Sequence, residues 1–155
     1  MKKQGFTLIE LMVVIVIMGI LAAVAVPKLF GMIAKSKASE VGPAAGTYVK
    51  LADVYFVENN TMGTWPQIGY NAPNGSQGSN STTTNFSYTG AEVTGTGAIT
   101  WQAANNVALN DCGANTGAWK VIPTYNTNSG EISYAASVTG SHCGDLTPNF
   151  EKIGH

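Results

Sequence analysis

Near its start the chain has a long apolar segment that holds a single acidic residue. From Leu11 to Val26 no residue is charged or strongly polar, and the apolar segment extends from Phe6 to Ile33 with Glu10 as its only acid. Its roughly 28 residues would form about 42 Å of helix, whereas about 20 apolar residues cross a hydrocarbon core. Because lysines precede the segment, a membrane-spanning helix with a cytoplasmic N-terminus is predicted.

After Ile33 the apolar positions recur every three or four residues, which indicates one buried helix face. We therefore predict a nearly continuous helix from about Thr7 to about Glu58, with a second bend at Gly42-Pro43 because a residue before proline avoids helical geometry. Gly19 and Pro27 interrupt the apolar half, and Pro27 is expected to kink it in the free subunit. The predicted buried face comprises Ala34, Ala38, Val41, Ala45, Tyr48, Ala52 and Tyr55.

Beyond residue 60 the sequence predicts a head with short strands. Residues 61–97 are rich in Gly, Asn, Ser and Thr and indicate a polar surface loop. Strands are predicted at 98–101, at 119–122 with Pro123 as its stop, and at 132–138, with a turn at 126–130. An antiparallel meander that covers Val41–Tyr55 makes the predicted fold class α+β.

Composition limits the chemistry of this 155-residue chain. Charged residues make up 11% of it, arginine is absent and the net charge is −1, so strong nucleic-acid binding is not expected. His142 and His155 lack a recognisable nucleophile motif nearby, and the scattered Gly117, Gly130 and Gly140 indicate turns. We expect no enzyme activity, cofactor or metal. The three tryptophans could stack on sugars, but core packing is favoured; they are Trp65, Trp101 and Trp119.

The start of the chain supplies the most specific motif. The run Gly5-Phe6-Thr7-Leu8-Ile9-Glu10-Leu11-Met12-Val13-Val14 resembles the class III signal of type IV pilins and of the related pseudopilins of type II secretion. The resemblance covers about residues 2–28 and implies that a prepilin peptidase cuts between Gly5 and Phe6 and methylates the new N-terminus. The alternative is an ordinary secretory signal ending near Ala22–Ala25, although such a signal has no use for Glu10.

The resemblance also implies how the subunit assembles. Residues 1–5 would be the leader, 6–33 the membrane and filament-core helix, 34–60 its amphipathic half, and 61–155 the head. Glu10 would pair with the Phe6 amine of a neighbouring copy, and Gly19–Pro27 would be the segment that loosens in the filament. The implied partners are identical subunits, the peptidase and the pilus assembly machinery. The implied locations are the bacterial inner membrane and then an extracellular pilus.

The two cysteines complete the set of candidate sites. A head outside the cytoplasm favours a Cys112–Cys143 disulfide, and a C-terminal disulfide also resembles the type IVa pilin pattern. Structural zinc on these thiols with Asp111, His142 and Asp145 is the weaker alternative because no CxxC spacing occurs. The expected function is a pilus subunit in adhesion or twitching motility. The alternatives are a pseudopilin or minor pilin, and a membrane-anchored, sugar-binding adhesin.

Overall fold

A computed structural model describes residues 1–2, 4–92 and 99–154 of the chain. Lys3, the predicted strand start at Ala98 and the terminal His155 lie outside the described residues. The remainder forms a long N-terminal helical region and an antiparallel sheet, which confirms the predicted α+β class.

The first helix, α1 (Leu8–Ala38), begins at a capping box. The Thr7 hydroxyl accepts from the Glu10 backbone N–H, and the Glu10 carboxylate accepts in return from the Thr7 N–H. These contacts satisfy donors that a helix start otherwise leaves free. The helix then runs uninterrupted through Gly19 and Pro27 to its C-cap at Ser39.

The predicted bend at Gly42-Pro43 is displaced toward the N-terminus. The helix breaks at Ser39 and Glu40, and α2 (Val41–Asn59) starts directly after them. Pro43 is the third residue of α2, where a missing N–H loses nothing because the first turn has no intrahelical acceptors. Proline therefore fits inside the first turn, and the break precedes it.

In residues 4–92 and 99–154 the sheet has five strands in sequential order, all antiparallel. Its strands are β1 (Ser81–Thr82), β2 (Phe86–Glu92), β3 (Ile99–Asn105), β4 (Ala118–Asn126) and β5 (Glu131–Thr139). A short helix, α3 (Trp65–Ile68), precedes it, and 3₁₀ turns at Gly144–Leu146 and Phe150–Lys152 follow it. The predicted strands at 119–122 and 132–138 and the turn between them are confirmed, with longer strands than expected.

Two sequence-based expectations about the head are wrong. Residues 61–97 are not simply a polar loop, because α3, β1 and β2 lie there. Pro123 does not stop β4, because it pairs in register with Tyr134 of β5. The ladder between β3 and β4 ends at Trp101 and Val121, so Pro123 lies where β4 no longer pairs with β3.

The core lies between α2 and the inner face of the sheet. Six of the seven residues of the predicted helix face are buried, and Tyr55 is half-buried. Trp65, Trp101 and Trp119 expose 2% or less, so the prediction that they are core residues is confirmed. Phe56 and Met62 form a smaller cluster with Tyr125 at the end of α2.

Candidate functional site

The apolar half of α1 is exposed in the part of the chain that the structure describes. Its most apolar 18-residue window has a mean hydropathy of 2.9 and none of it is buried, so by length and composition this helix could cross a membrane. Every large apolar side chain from Phe6 to Ile33 is at least 42% exposed. Burial within the chain begins at Ala34. The surface before Ala34 therefore requires a lipid or protein environment.

Glu10 lies at the first turn of this exposed helix. Its Oε2 atom accepts hydrogen bonds of 2.8 Å from both the backbone N–H and the hydroxyl of Thr7. The carboxylate is thus held at the helix N-terminus, where the helix dipole favours a negative charge. It is the only acidic residue between Met1 and Lys35.

The predicted cleavage site precedes the helix. Gly5 and Phe6 are exposed and lie outside regular secondary structure, because α1 begins at Leu8. A Cβ added at Gly5 would meet no atom within 4 Å. No contact among the described residues therefore requires glycine at this position.

Gly19 and Pro27 lie on the same helix but away from Glu10. At 1.5 Å per residue they are about 13 Å and about 25 Å farther along α1. A Cβ at Gly19 would also meet no atom within 4 Å. The structure thus brings Gly5, Phe6 and Glu10 to one end of the helix and does not bring Gly19 or Pro27 to them.

The cysteines form the predicted disulfide, and both are buried. Cys112 and Cys143 are 31 residues apart, so the bond closes a loop that includes β4 and β5. Both thiols are oxidised, so they are not the thiolate ligands that the zinc alternative requires. At the surface, Nδ1 of His142 lies 3.5 Å from Oδ2 of Asp145. No cluster of three potential metal ligands occurs within residues 1–2, 4–92 and 99–154.

The fully buried Asn105 holds the loop that leads to Cys112. Its Nδ2 donates to the carbonyl oxygens of Val107 and Gly113 at 2.8 and 2.7 Å, and its Oδ1 accepts from the Gly117 N–H at 2.8 Å. The side chain therefore replaces backbone pairing that an irregular loop cannot supply. Sequence reasoning missed Asn105, because one asparagine among many carries no periodic signal.

Tyrosine hydroxyls attach the helix to the head. Tyr88 donates to Glu40 at 2.8 Å, and Tyr134 donates to Asp53 at 2.7 Å. Tyr70 donates to the Ala44 carbonyl oxygen and accepts from the Trp101 indole. Burial raises the pKa of Tyr70 to about 12 and, with the adjacent carboxylates, raises the pKa of Tyr88 and Tyr134 further.

Comparison with known proteins finds one family motif and several fimbrial relatives. The prokaryotic N-terminal methylation motif matches residues 1–26. Fimbrial protein EcpC of Eikenella corrodens is 44% identical over 64 residues, which cover 41% of this chain and 40% of that protein. Type IV major fimbrial protein FimA of Dichelobacter nodosus is 52% identical over 52 residues, which cover 33% and 32%. The chain thus matches less than half the length of these relatives.

The relatives and the motif confirm the predicted resemblance to type IV pilins. The methylation motif, the apolar helix and the disulfide were all expected from that resemblance, and all are present.

Proposed function

We propose that this protein is the structural subunit of a type IV pilus and polymerises through α1. The observation that carries the proposal is the exposed apolar helix with its single carboxylate, attached to a folded, disulfide-bonded head. Burying a large apolar side chain is worth about 1.5–3 kcal/mol, and some twenty such side chains are exposed between Phe6 and Ile33. Lipid covers this surface in the subunit pool, and the helices of other copies cover it in the filament.

Four parts of the chain then have separate roles. Residues 1–5 are a leader that prepilin peptidase removes, and 6–33 span the inner membrane before they enter the filament core. Residues 34–60 are the half of the helical region that packs against the head. Residues 61–155 are the head, which forms the surface of an extracellular pilus. The exposed, nonhelical setting of Gly5 supports this role, because a peptidase needs an accessible backbone and glycine permits close approach.

Glu10 sets the register between copies in this proposal. Cleavage before Phe6 creates a charged amine, and a buried carboxylate without a counter-charge costs several kcal/mol. The amine of one subunit therefore pairs with Glu10 of its neighbour. The capping box with Thr7 keeps the carboxylate hydrogen-bonded before that partner arrives.

Gly19–Pro27 is the segment that we propose loosens in the filament. Glycine is unfavourable inside a helix by about 1 kcal/mol and proline by about 3 kcal/mol. Once neighbouring copies surround α1, their contacts can offset the helical hydrogen bonds lost between these residues. Adhesion and twitching motility are the roles proposed for the resulting filament.

The test compares Glu10→Ala with the control Glu58→Ala, which removes an exposed acid at the far end of the helical region. Glu10→Ala is expected to abolish surface filaments in electron micrographs while mass spectrometry still finds subunits cut before a methylated Phe6. Glu58→Ala is expected to assemble normally. Normal filaments from Glu10→Ala, or an intact Met1 in the wild-type filament, would contradict the proposal.

A further inference from the structure

An apolar groove lies beside the helix break, on one flank of α1. It has a volume of about 360 Å³ and is open to solvent along its length. Its helical wall is Lys35, Ser39 and Gly42, and its opposite wall comes from the C-terminal segment. The apolar residues of that second wall are Leu146, Pro148, Phe150 and Ile153.

The other flank of α1 carries the side chains that could fill such a groove. Phe30, Ile33 and Lys37 lie there beside Ala108 and Asn110 of the head. At 100° per residue, this flank and the Lys35 flank are on opposite sides of the buried Ala34. Phe30 is 58% exposed and Ile33 42% exposed, so both retain apolar surface for a partner.

A helical filament joins two different surfaces of successive copies. Open, head-to-tail assembly is heterologous, so one flank of a subunit meets the opposite flank of the next. The groove is one such flank and the Phe30–Ile33 flank is the other. This arrangement requires a parallel packing of α1 helices, which is the packing of the proposed function.

The register of that packing follows from the Glu10 pairing. If the Phe6 amine of one copy lies level with Glu10 of another, the first copy is displaced by four residues, or about 6 Å along the helix. Its Phe30 and Ile33 then lie level with residues 34 and 37 of the other copy. These levels fall at the Lys35–Ser39 wall of the groove.

The reverse assignment fails on the same arithmetic. Phe30 and Ile33 of the copy that supplies Glu10 would lie level with residues 26 and 29 of its neighbour, at least six residues before Lys35 and therefore short of the groove. The groove therefore belongs to the copy that supplies Glu10. The apolar side chains belong to the copy that supplies the amine.

Two glycines on the groove flank of the helical region are consistent with close packing of a helix from a second copy. Gly31 lies one turn before Lys35 on the same flank, and Gly42 forms part of the groove wall. A Cβ at either position would meet no atom within 4 Å in the isolated subunit. No described residue of the same subunit therefore requires their small size, and the absence of a side chain there leaves room for an adjacent helix.

We propose that Phe30 and Ile33 of one copy insert into the groove lined by Leu146, Pro148, Phe150 and Ile153 of a second copy. This inference rests on the proposed pilus function and specifies one of its interfaces. The α1 helix of the first copy is the only occupant proposed, since the groove continues the exposed apolar helix that assembly must cover.

Cysteine cross-linking in assembled filaments tests the contact. Wild-type subunits are co-expressed with a minority of two single variants, Ile33→Cys and Asn149→Cys, so that the wild type supports assembly. The matched control replaces Ile33→Cys with Met32→Cys, which is also exposed but points 100° away around the helix. Within one subunit, Ile33 and Asn149 are on opposite flanks, so a bond between them reports contact between copies.

After mild oxidation, the Ile33→Cys and Asn149→Cys mixture is expected to give a covalent dimer band on a nonreducing gel, beside the monomer band of the wild-type majority. The Met32→Cys mixture is expected to stay monomeric. Filaments in which neither mixture dimerises, or in which Met32→Cys dimerises equally well, would overturn the groove contact and leave the pilus function standing. Absence of filaments from the wild-type chain itself would overturn the proposed function and the groove contact with it.

Discussion

The hydroxyl of Tyr134 donates a hydrogen bond of 2.7 Å to Oδ1 of Asp53, which joins the middle of β5 to α2 across 81 residues of sequence. The bond ends on a partly buried carboxylate, and hydrogen bonds to charged groups are the stronger class in proteins. It therefore fixes the distal half of α2 on the sheet.

Replacing Tyr134 with Phe is expected to lower the free energy of unfolding by about 1–3 kcal/mol, because Asp53 loses its donor. Urea denaturation of the full chain in detergent measures the change. Tyr125→Phe is the matched control, since the structure gives its hydroxyl no hydrogen bond within the described residues. An equal effect of both substitutions would contradict a specific role for the Asp53 contact.

Glu40 fixes the helix break to β2 and its preceding turn. One carboxylate oxygen accepts from both the Thr83 and the Tyr88 hydroxyls, at 2.7 and 2.8 Å. Glu40→Ala is expected to cost about 2–3 kcal/mol, because the buried Tyr88 hydroxyl is left without an acceptor. Glu40→Gln keeps an acceptor oxygen and is expected to cost less, which thermal denaturation would measure. Equal losses for Ala and Gln would exclude the hydrogen bonds as the cause.

Alkaline pH is expected to unfold the head. The pKa values of Tyr48, Tyr70, Tyr88 and Tyr134 are raised in the folded state, chiefly by burial, and that of Tyr70 reaches about 12. Above pH 10 the unfolded chain releases these protons while the folded chain retains them. The free energy of unfolding therefore falls as the pH rises from about 10 toward 12.

Chemical denaturation at successive pH values, with tyrosinate absorbance as a second signal, measures this loss. Tyr134→Phe should make the fall less steep, because one fewer tyrosine ionises on unfolding. A constant free energy of unfolding up to pH 12 would mean that these phenols are not protected in the folded state.

Gly140 and Gly144 form a matched pair on either side of Cys143. Gly140 has a φ of +106°, and an added Cβ would lie 2.6 Å from the Thr116 carbonyl oxygen and 2.7 Å from the Cys143 Sγ. Gly140→Ala is expected to destabilise the head by more than about 1 kcal/mol. Gly144→Ala meets no atom within 4 Å and is expected to change stability by less than about 0.5 kcal/mol. Similar midpoints in urea for both variants would contradict this steric argument.

The helical half of the fold was predictable because its patterns are long. The apolar run and the three-to-four spacing from Ala34 to Ala52 identified the helices and the buried face. The helix break was predicted at Gly42-Pro43 because of the proline, but it lies at Ser39 and Glu40. The contacts of Glu40 with Thr83 and Tyr88 join residues more than 40 positions apart, which a sequence does not reveal.

The head was less predictable because its strands are short and lie among polar residues. The alternation of apolar and polar residues in β2 includes only two large apolar residues, Phe86 and Tyr88, before Gly90 interrupts it. Trp65 packs against the rings of Tyr48 and Tyr70, which lie outside its own short helix. Gly5, Phe6 and Glu10 were found through a motif, whereas the groove beside Lys35 arises from segments more than 100 residues apart.

The disulfide has a mechanical consequence for the junction between helix and head. Cys112 closely follows Asn110, which lies on one flank of α1, and Cys143 closely precedes Leu146, which lies on the other. The disulfide therefore links the two segments of the head that lie on opposite flanks of the last turns of α1. After reduction, these two segments would remain covalently connected only through the intervening chain, which includes β4 and β5.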